Sequence, residues 1–562
     1  MRIFIEKEDY PIKILKEVFD DRFYIPDNKI GIINYVGYHY KNGKISFILP
    51  KIFIDEKGLV FGKYDKTELS TKGLYDTLTS QEELIWFKKF LITFYKSLVE
   101  YKNRHKFSTI VNKEVSIQLN NLYGNSEFSF LDLVLSFLNF HKKNKNIFLY
   151  IFKEKLAQKH KKVKWEKTIS KTLPIITNNN QPIYYKKVIQ QKYIDDEEYL
   201  LKLFYSILFH FKSEYSLDIS IEEFYKIEKG KPFENLCCKA TRKLKKVKYK
   251  YFSDTLLKLY KLLEIYFNQF NPIDYKHTKE EFLSVKDYHI VFEDMIDKIF
   301  SDQIPDLSTS KNISIHKLKE QKDGKLVDHL FKHTSIIDTN EKIFYIGDSK
   351  YYKPTNSIGE HSIYKQFTYA KNIIQFNIDL LNEDKSLDSN LRYRDEITEG
   401  YSISPNFFIQ AIICNDLNYS KHCLDVDKTK GNNGIEKSFQ FKERLFDRDT
   451  LFVHYYKINF LFVLDIYTKT NSLIIRNLRK EIKGKFRKNF VSFFNEYSDI
   501  EFYRKQFNDE LELSKYVTEN FKLLNGKVYR TKDNVNELIV AKYRNDNSIN
   551  DIVDDCEILN LE

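Results

Sequence analysis

Cysteine, proline and glycine are all scarce in this 562-residue chain, at 5, 10 and 16 residues. The cysteines (Cys237, Cys238, Cys414, Cys423 and Cys556) are odd in number and form no CxxC pair. Neither a zinc ribbon nor a disulfide framework is indicated, and free, reduced thiols are expected. So little glycine and proline excludes a collagen-like or linker-dominated architecture. The longest apolar runs, 147–152 and 460–464, fall far short of the ~20 residues that span a bilayer. The opening MRIFIEKEDY places acids where a signal peptide needs an apolar core. Also missing are HExxH, GxSxG and a glycine-rich phosphate loop; GNNGIEKS (431–438) comes nearest to GxxxxGK[ST], but its spacing fails. These absences predict a soluble, cytoplasmic chain with no membrane partner and no P-loop nucleotide hydrolysis of its own.

What is present is a chain rich in core-forming and basic residues. Hydrophobic residues make up 42% and aromatics 16%, ample for real cores, so wholesale disorder is excluded. At roughly 100–200 residues per domain, the length fits three or four domains. Lys and Arg number 91 against 79 Asp and Glu, a net charge of +12. An AT-rich coding sequence would give the same excess, so clustering is more informative than the total. Basic residues concentrate at 142–167, 239–250 and 476–488, interleaved with Tyr and Phe, whereas the tail after Arg544 is acidic. Such runs suit sequence-independent contact with phosphates.

Hydrophobic periodicity divides the chain into four parts. Residues 1–115 read as a β-rich N-terminal region, with an Asn42-Gly43 hairpin signal between two strand-like runs. Residues 116–275 read as a helical, basic region for DNA or partner binding, ending near Asn271-Pro272. Residues 276–475 alternate helix, strands, helix and strands, the pattern of an α/β core. Residues 476–562 read as a mostly helical C-terminal region with an acidic tail facing solvent or a partner.

Chemistry concentrates between 325 and 374. Two strands, 325–337 and 342–352, flank a turn at Asp338-Thr339-Asn340, with Asp338 read as a turn former. Strand alternation puts Asp348 and Lys350 on one face, and a hairpin centred near Asp338 sets Asp328 across from Asp348. Two carboxylates and an ammonium then converge, a grouping suited to metal-dependent phosphodiester hydrolysis. Upstream, the helical stretch 291–300 offers Glu293 as a third carboxylate. Downstream, Gln366 and Tyr369 lie at i, i+3 on one helix edge. Asp-x-Lys alone carries little weight, because Asp27/Lys29, Asp55/Lys57 and Asp274/Lys276 match it too. The ordered set of helix with Glu, strand with Asp, strand with Asp-x-Lys and helix with Gln-x-x-Tyr is what separates this region. His329 and His333 beside Asp328 are read as packed or exposed rather than as ligands.

In IGDSKYYK (346–353) and IYKQFTYA (363–370) the chain resembles the PD-(D/E)xK nuclease superfamily. Within it, the chain is similar to the McrC-like subunit of LlaJI-type, McrBC-related restriction systems, through NYVGYHYKNGKISFILPKIF (34–53), KWEKTI (164–169) and QPIYY (181–185) as well. Val327, Ser349 and Ser362 depart from the pattern without removing a metal ligand. The resemblance implies a mixed sheet flanked by helices at 276–475. It implies Mg²⁺ (with Mn²⁺ able to substitute) held by Asp328, Asp348 and Glu293, with Lys350 as the catalytic lysine and Gln366 and Tyr369 in support. It also implies double-stranded DNA as substrate, an McrB-like AAA+ GTPase partner through which alone GTP enters, and an oligomeric assembly. The expected function is thus the endonuclease subunit of a two-component restriction system acting in phage defence. Two other readings stay open: a non-catalytic DNA-binding or GTPase-stimulating scaffold, and a standalone DNA repair nuclease.

Overall fold

The architecture comes from a computed structural model that describes residues 1–562 except 42–43, 79, 106–110, 115–129, 145–146, 148, 159–162, 196–197, 215–218, 222–224, 270–280, 303–326, 354–355, 357, 383–389, 439, 470–471 and 533. The Asn42-Gly43 turn, the Asn271-Pro272 boundary and Asp274/Lys276 lie outside the described residues.

The chain opens with β1 (Arg2–Ile5), β2 (Tyr35–Lys41) and β3 (Lys44–Leu49); β3 lies parallel to β1 and antiparallel to β2. Helix α1 (Gln81–Arg104) buries Phe87, Phe90, Leu91, Phe94, Leu98 and Tyr101 at three- and four-residue spacing. Glu82 and Glu83 in its first turn and Lys102 and Arg104 in its last complement the helix dipole. After β4 (Val111–Glu114) and α2 (Phe130–Lys143), the strands β5 (Tyr150–Ala157) and β6 (Lys187–Ile194) form an antiparallel ribbon around α3 (Trp165–Lys171). Three helices follow: α4 (Tyr199–Glu214), α5 (Lys231–Val247) and α6 (Asp254–Gln269). On α5 the stripe Phe233, Cys237, Ala240 and Leu244 is buried, so the lysines between them face outward.

The next strand, β7 (Glu281–Lys286), corrects the expected start of the α/β core at 276. It runs antiparallel between β2 and β4, completing a five-stranded sheet of order β1-β3-β2-β7-β4. Pairing across about 170 residues or more of chain leaves no local signal, and this strand therefore reads in sequence as part of the following region.

The second sheet begins after α7 (Tyr288–Phe300). It contains β8 (His329–Thr334), β9 (Lys342–Lys350), β10 (Pro405–Ile412), β11 (Asp425–Val426), β12 (Ile435–Ser438) and β13 (Leu451–Asn459), with α8 (Glu360–Asn382) between β9 and β10. Its order is β8-β9-β10-β13-β11, with β12 also paired to β13; β9, β10 and β13 run parallel. These central strands are buried almost throughout, as a sheet covered on both faces requires. After α9 (Phe460–Tyr467), α10 (Ser472–Ser492) covers one face, Phe486 stacking on Phe407 at 4.5 Å. Asn406 points to the opposite face, where it meets Gln366 of α8. The chain is accordingly mixed α/β.

The C-terminal stretch, expected to be mostly helical, carries a four-stranded antiparallel sheet instead. Strands β14 (Ile500–Gln506), β15 (Val528–Arg530), β16 (Glu537–Tyr543) and β17 (Glu557–Leu559) take the order β15-β16-β14-β17, with α11 (Glu510–Glu519) between β14 and β15. The acidic tail is likewise folded in. Asp546 is buried in an ion pair with Lys527, and β17 pairs with β14.

Buried charges dock this sheet on the core. Arg392 donates to Glu341 (2.6 Å) and Asp395 (2.5 Å), Arg530 donates to Asp395 (2.9 Å), and the Tyr529 hydroxyl donates to Glu341 (2.6 Å). Glu341 and Asp395 are fully buried, so removing one cation strands a carboxylate away from water. Arg392→Ala should therefore lower stability by about 3 kcal/mol, read as a shift in the midpoint of guanidinium unfolding. An unmoved midpoint would show that the network does not hold the two sheets together.

Candidate active site

The hairpin β8–β9 turns where the sequence placed its turn. Ser335 N–H donates to the Glu341 carbonyl (2.8 Å), and Asp338 accepts from Asn340 N–H (2.9 Å) as an Asx turn. His329 pairs with Gly347, and one further step of the same register sets Asp328 opposite Asp348. The two carboxyls hydrogen-bond to one another. Lys350, two residues on from Asp348 and on the same face, donates to Asp348 Oδ2 at 2.5 Å and lies 5.4 Å from the centre of the Phe408 ring.

This pairing is electrostatically strained. Burial, the charge of Asp348, the hydrogen bond to it and the charge of Glu293 hold the Asp328 carboxyl well above the usual range, with Lys350 opposing them. On α7, burial and then Asp348 push Glu293 up to about 7, against Lys350 and Lys365. Its neighbour Asp294 is engaged elsewhere. It accepts from Arg104 (3.1 Å twice), sits 2.9 Å from His105 Nε2, and accepts the Tyr467 hydroxyl. Of the two adjacent acids, then, Asp294 anchors the helix and Glu293 is in electrostatic reach of the pair.

Helix α8 supplies the remaining groups. Gln366 is fully buried; its Nε2 donates to the Ile346 carbonyl (2.9 Å), while Oε1 is buried with no partner among the described residues. The Tyr369 ring is buried, and its hydroxyl bonds Lys365 within the field of Asp328 and Asp348. Lys365 is a site residue that the sequence reading missed, although its i, i+4 spacing to Tyr369 puts both on one helix edge. The end of β9 is tied to the N-terminal region. The buried Tyr351 hydroxyl donates to Glu6 and accepts from Lys51 N–H (3.2 Å), and Lys353 pairs with Glu8 (2.5 Å).

The competing motifs and charge clusters resolve individually. Asp55 accepts from Lys57 and Leu59 N–H groups (2.9 and 2.8 Å), which makes it a turn residue. His329 is fully buried, and burial lowers His333 to about 4, so both are packed residues. In the 239–250 cluster, Lys239, Arg242, Lys243, Lys245 and Lys246 are all exposed. The 142–167 cluster lies partly outside the described residues, His160 included; Lys164 and Lys167 gather on Glu154 (3.4 and 2.5 Å). The 476–488 cluster, expected to track phosphates, mostly braces the core. Arg479 and Arg487 donate to the Lys298 and Ser335 carbonyls (2.7 and 2.9 Å), Lys485 to the Leu424 carbonyl, and Lys483 pairs with Asp302. That face of α10 packs inward, and sequence charge alone does not reveal it.

The donor set fits a hard divalent cation. Two crowded carboxylates and an orphaned amide oxygen are oxygen ligands or water acceptors with too little local positive charge. Among the described residues no group of three or more His, Cys, Asp or Glu stands ready-made around a cation position. Mg²⁺ needs none, since one or two carboxylates, waters and substrate phosphate satisfy it.

Among the described residues no helix is long and apolar enough to cross a membrane. A family model for the LlaJI restriction endonuclease matches residues 79–409. No curated protein matches the chain. Three chains of solved structures do. One belongs to a refined half-complex from the tetradecameric assembly of Thermococcus gammatolerans McrB AAA+ hexamers with bound McrC. It is 9% identical, covers 86% of this chain and 99% of that one, and superposes with a TM-score of 0.27.

The raised Glu293 value predicts a pH signature. Below about 4.5 the group is protonated in both folded and unfolded chains; as pH rises through about 7 its folded-state stabilisation is lost. In EDTA, the melting temperature of the wild type should therefore fall relative to Glu293→Gln between pH 5 and 8. The difference should be on the order of 1–2 kcal/mol after solvent screening, and parallel curves would contradict it.

Proposed function

Since the chain belongs to the LlaJI restriction endonuclease family, we propose that it is the Mg²⁺-dependent nuclease subunit of a two-component restriction system, cutting double-stranded DNA at a PD-(D/E)xK centre. The observation that carries this reading is Asp328 set opposite Asp348, with Lys350 bonded to Asp348 at 2.5 Å.

In this mechanism Asp328 and Asp348 would hold the cation, with Glu293 behind them in electrostatic reach of both. Bound there, Mg²⁺ supplies acidity to a coordinated water and neutralises charge gathering on the phosphate. Burial and the neighbouring charges of Asp348 and Glu293 hold the Asp328 carboxyl well above the usual range, so Asp328 would have to give up its proton to serve as a ligand. Lys350 orients the attacking water and stabilises the negative charge that develops as the 3′ oxygen leaves in line. Glu293, titrating near 7, accepts a proton at working pH. The free Gln366 oxygen accepts from a water at the site, and the Lys365–Tyr369 pair meets a non-bridging oxygen.

Two further parts of the reading concern binding. The exposed basic face of α5 follows the DNA backbone. An AAA+ GTPase partner supplies nucleotide hydrolysis: the GNNG segment, the nearest thing to a phosphate loop here, is a tight connection in which Gly434 N–H donates to the Lys430 carbonyl (2.9 Å).

Asp348→Asn or Lys350→Ala should reduce cleavage by on the order of 10²–10³-fold in an assay with Mg²⁺, GTP and the partner subunit. Wild-type rates in both variants would end the site assignment. Full cleavage by the chain alone, without nucleotide, would end the two-component reading instead. On α5, each of Lys239, Arg242 and Lys243 changed to Gln should lower the slope of log affinity against log salt by about 0.9; an unchanged slope makes α5 an ordinary solvated helix.

A further inference from the structure

A cleft of about 490 Å³ opens at the carboxyl ends of β10 and β13. Its lining includes Phe53 and Phe61 from the N-terminal region, Gln410 of β10, and the lysines Lys457 of β13 and Lys430 of the β11–β12 connection, with Asp55 and Asp427 as the two acids among them. Open α/β sheets bind ligands beyond the carboxyl ends of their parallel strands. Here that edge is shared with the proposed catalytic centre. Lys350 pairs with Gln410 across β9–β10, and Gln410 pairs with Lys457 across β10–β13. Partners in parallel strands share a face, so the three side chains form one row leading from Asp348 into the cleft.

Gln410 is the telling residue. It is only 6% exposed, yet its side-chain amide makes no hydrogen bond among the described residues. The amide atoms are not sealed from solvent, so the side chain opens into the cleft with both a donor and an acceptor to offer. Beside it the chain presents cations on a stiff frame. Lys457 is held by Asp427 at 2.9 Å, and Asp427 also accepts the Thr429 hydroxyl at 2.6 Å. Gly431 and Gly434 have φ of +53° and +84°; a Cβ at Gly431 would stand 2.3 Å from the Ile435 carbonyl, and one at Gly434 2.2 Å from Val426. The connection can close this tightly only with glycine at both positions, and it brings Lys430 to the cleft. Lys430 makes no ion pair among the described residues.

We propose that this cleft is the subsite for the nucleotide next to the scissile phosphodiester, with Lys430 and Lys457 against its phosphate and Gln410 against its sugar or base edge over the apolar floor of Phe53 and Phe61. The proposal rests on the nuclease reading above. Two strand spacings, about 10 Å, separate the backbones of Lys350 and Lys457. The two lysines therefore serve neighbouring phosphates rather than the same one. Gln410 is a positioning residue, since it fixes the strand without touching the reacting atoms.

The test uses the full chain. Binding of a short duplex is followed by fluorescence anisotropy in Ca²⁺ across a salt series, and single-turnover cleavage in Mg²⁺ with the partner subunit and GTP at saturating DNA. Lys430→Gln should weaken binding roughly tenfold and lower the salt slope by about 0.9. Gln410→Ala should leave the slope unchanged and slow cleavage at saturation by roughly tenfold, through misplacement of the phosphate. Wild-type affinity, slope and cleavage rate in both folded variants would overturn the proposal. Lys430 is a loop residue, so its arm stands even if Gln410→Ala misfolds. Failure of the nuclease reading looks different: wild-type chain would bind with the Lys430-sensitive slope and never cut, leaving the cleft as a DNA contact alone.

Discussion

Two carboxyls placed directly opposite each other across an antiparallel pair repel, and a hairpin left to itself would not keep them there. Holding Asp328 against Asp348 is the constraint around which this molecule is arranged. β9 is fixed by pairing on both edges, to β8 and β10, and by cover on both faces from α8 and α10. Lys350 offsets part of the repulsion, and Asp294 uses four donor contacts to pin the helix that brings Glu293 up. Each of these contacts is ordinary. Their joint effect is a crowded pair of carboxyls that the fold holds in place.

Much of that patch was legible in the sequence because it is local. The alternation along 342–350, the turn-forming Asp338 and the helix period of 363–376 depend on residues a few positions apart, and all three appear as expected. The relation of Asp328 to Asp348 needed only a hairpin centre. Adjacent acids were harder: nothing in Glu293-Asp294 tells which one Arg104 and His105 will claim, since those partners lie about 190 residues earlier.

Where the reading failed, the missing information was non-local. β7 belongs to a sheet whose other strands precede it by about 170 residues or more, and no property of EFLSVK announces that. The C-terminal strands mix charged and apolar residues, as β14 does with IEFYRKQ, so helical and strand periods are hard to separate over so short a window. Charge counting failed for a related reason. Lysines and arginines of α10 lie in a basic run, yet their stems reach inward to carbonyls and to Asp302, whereas those of α5 point to water. Sequence gives the sign of a charge; only packing gives its direction.

The seating of β7 between β2 and β4, together with the Tyr351–Glu6 bond just past the end of β9, bears on how such a chain can be recombined. A crossover near residue 276 would carry the strand away from its sheet and leave β2 and β4 with open edges, the exposed ladders that recruit foreign strands. It would also leave Glu6 without the hydroxyl that its carboxylate accepts. The N-terminal sheet and the α/β core are therefore joined physically at this point and would have to be exchanged together to keep it intact. A segment that enters and leaves on the same side of that joint, such as the ribbon of β5 and β6, can be exchanged without opening it.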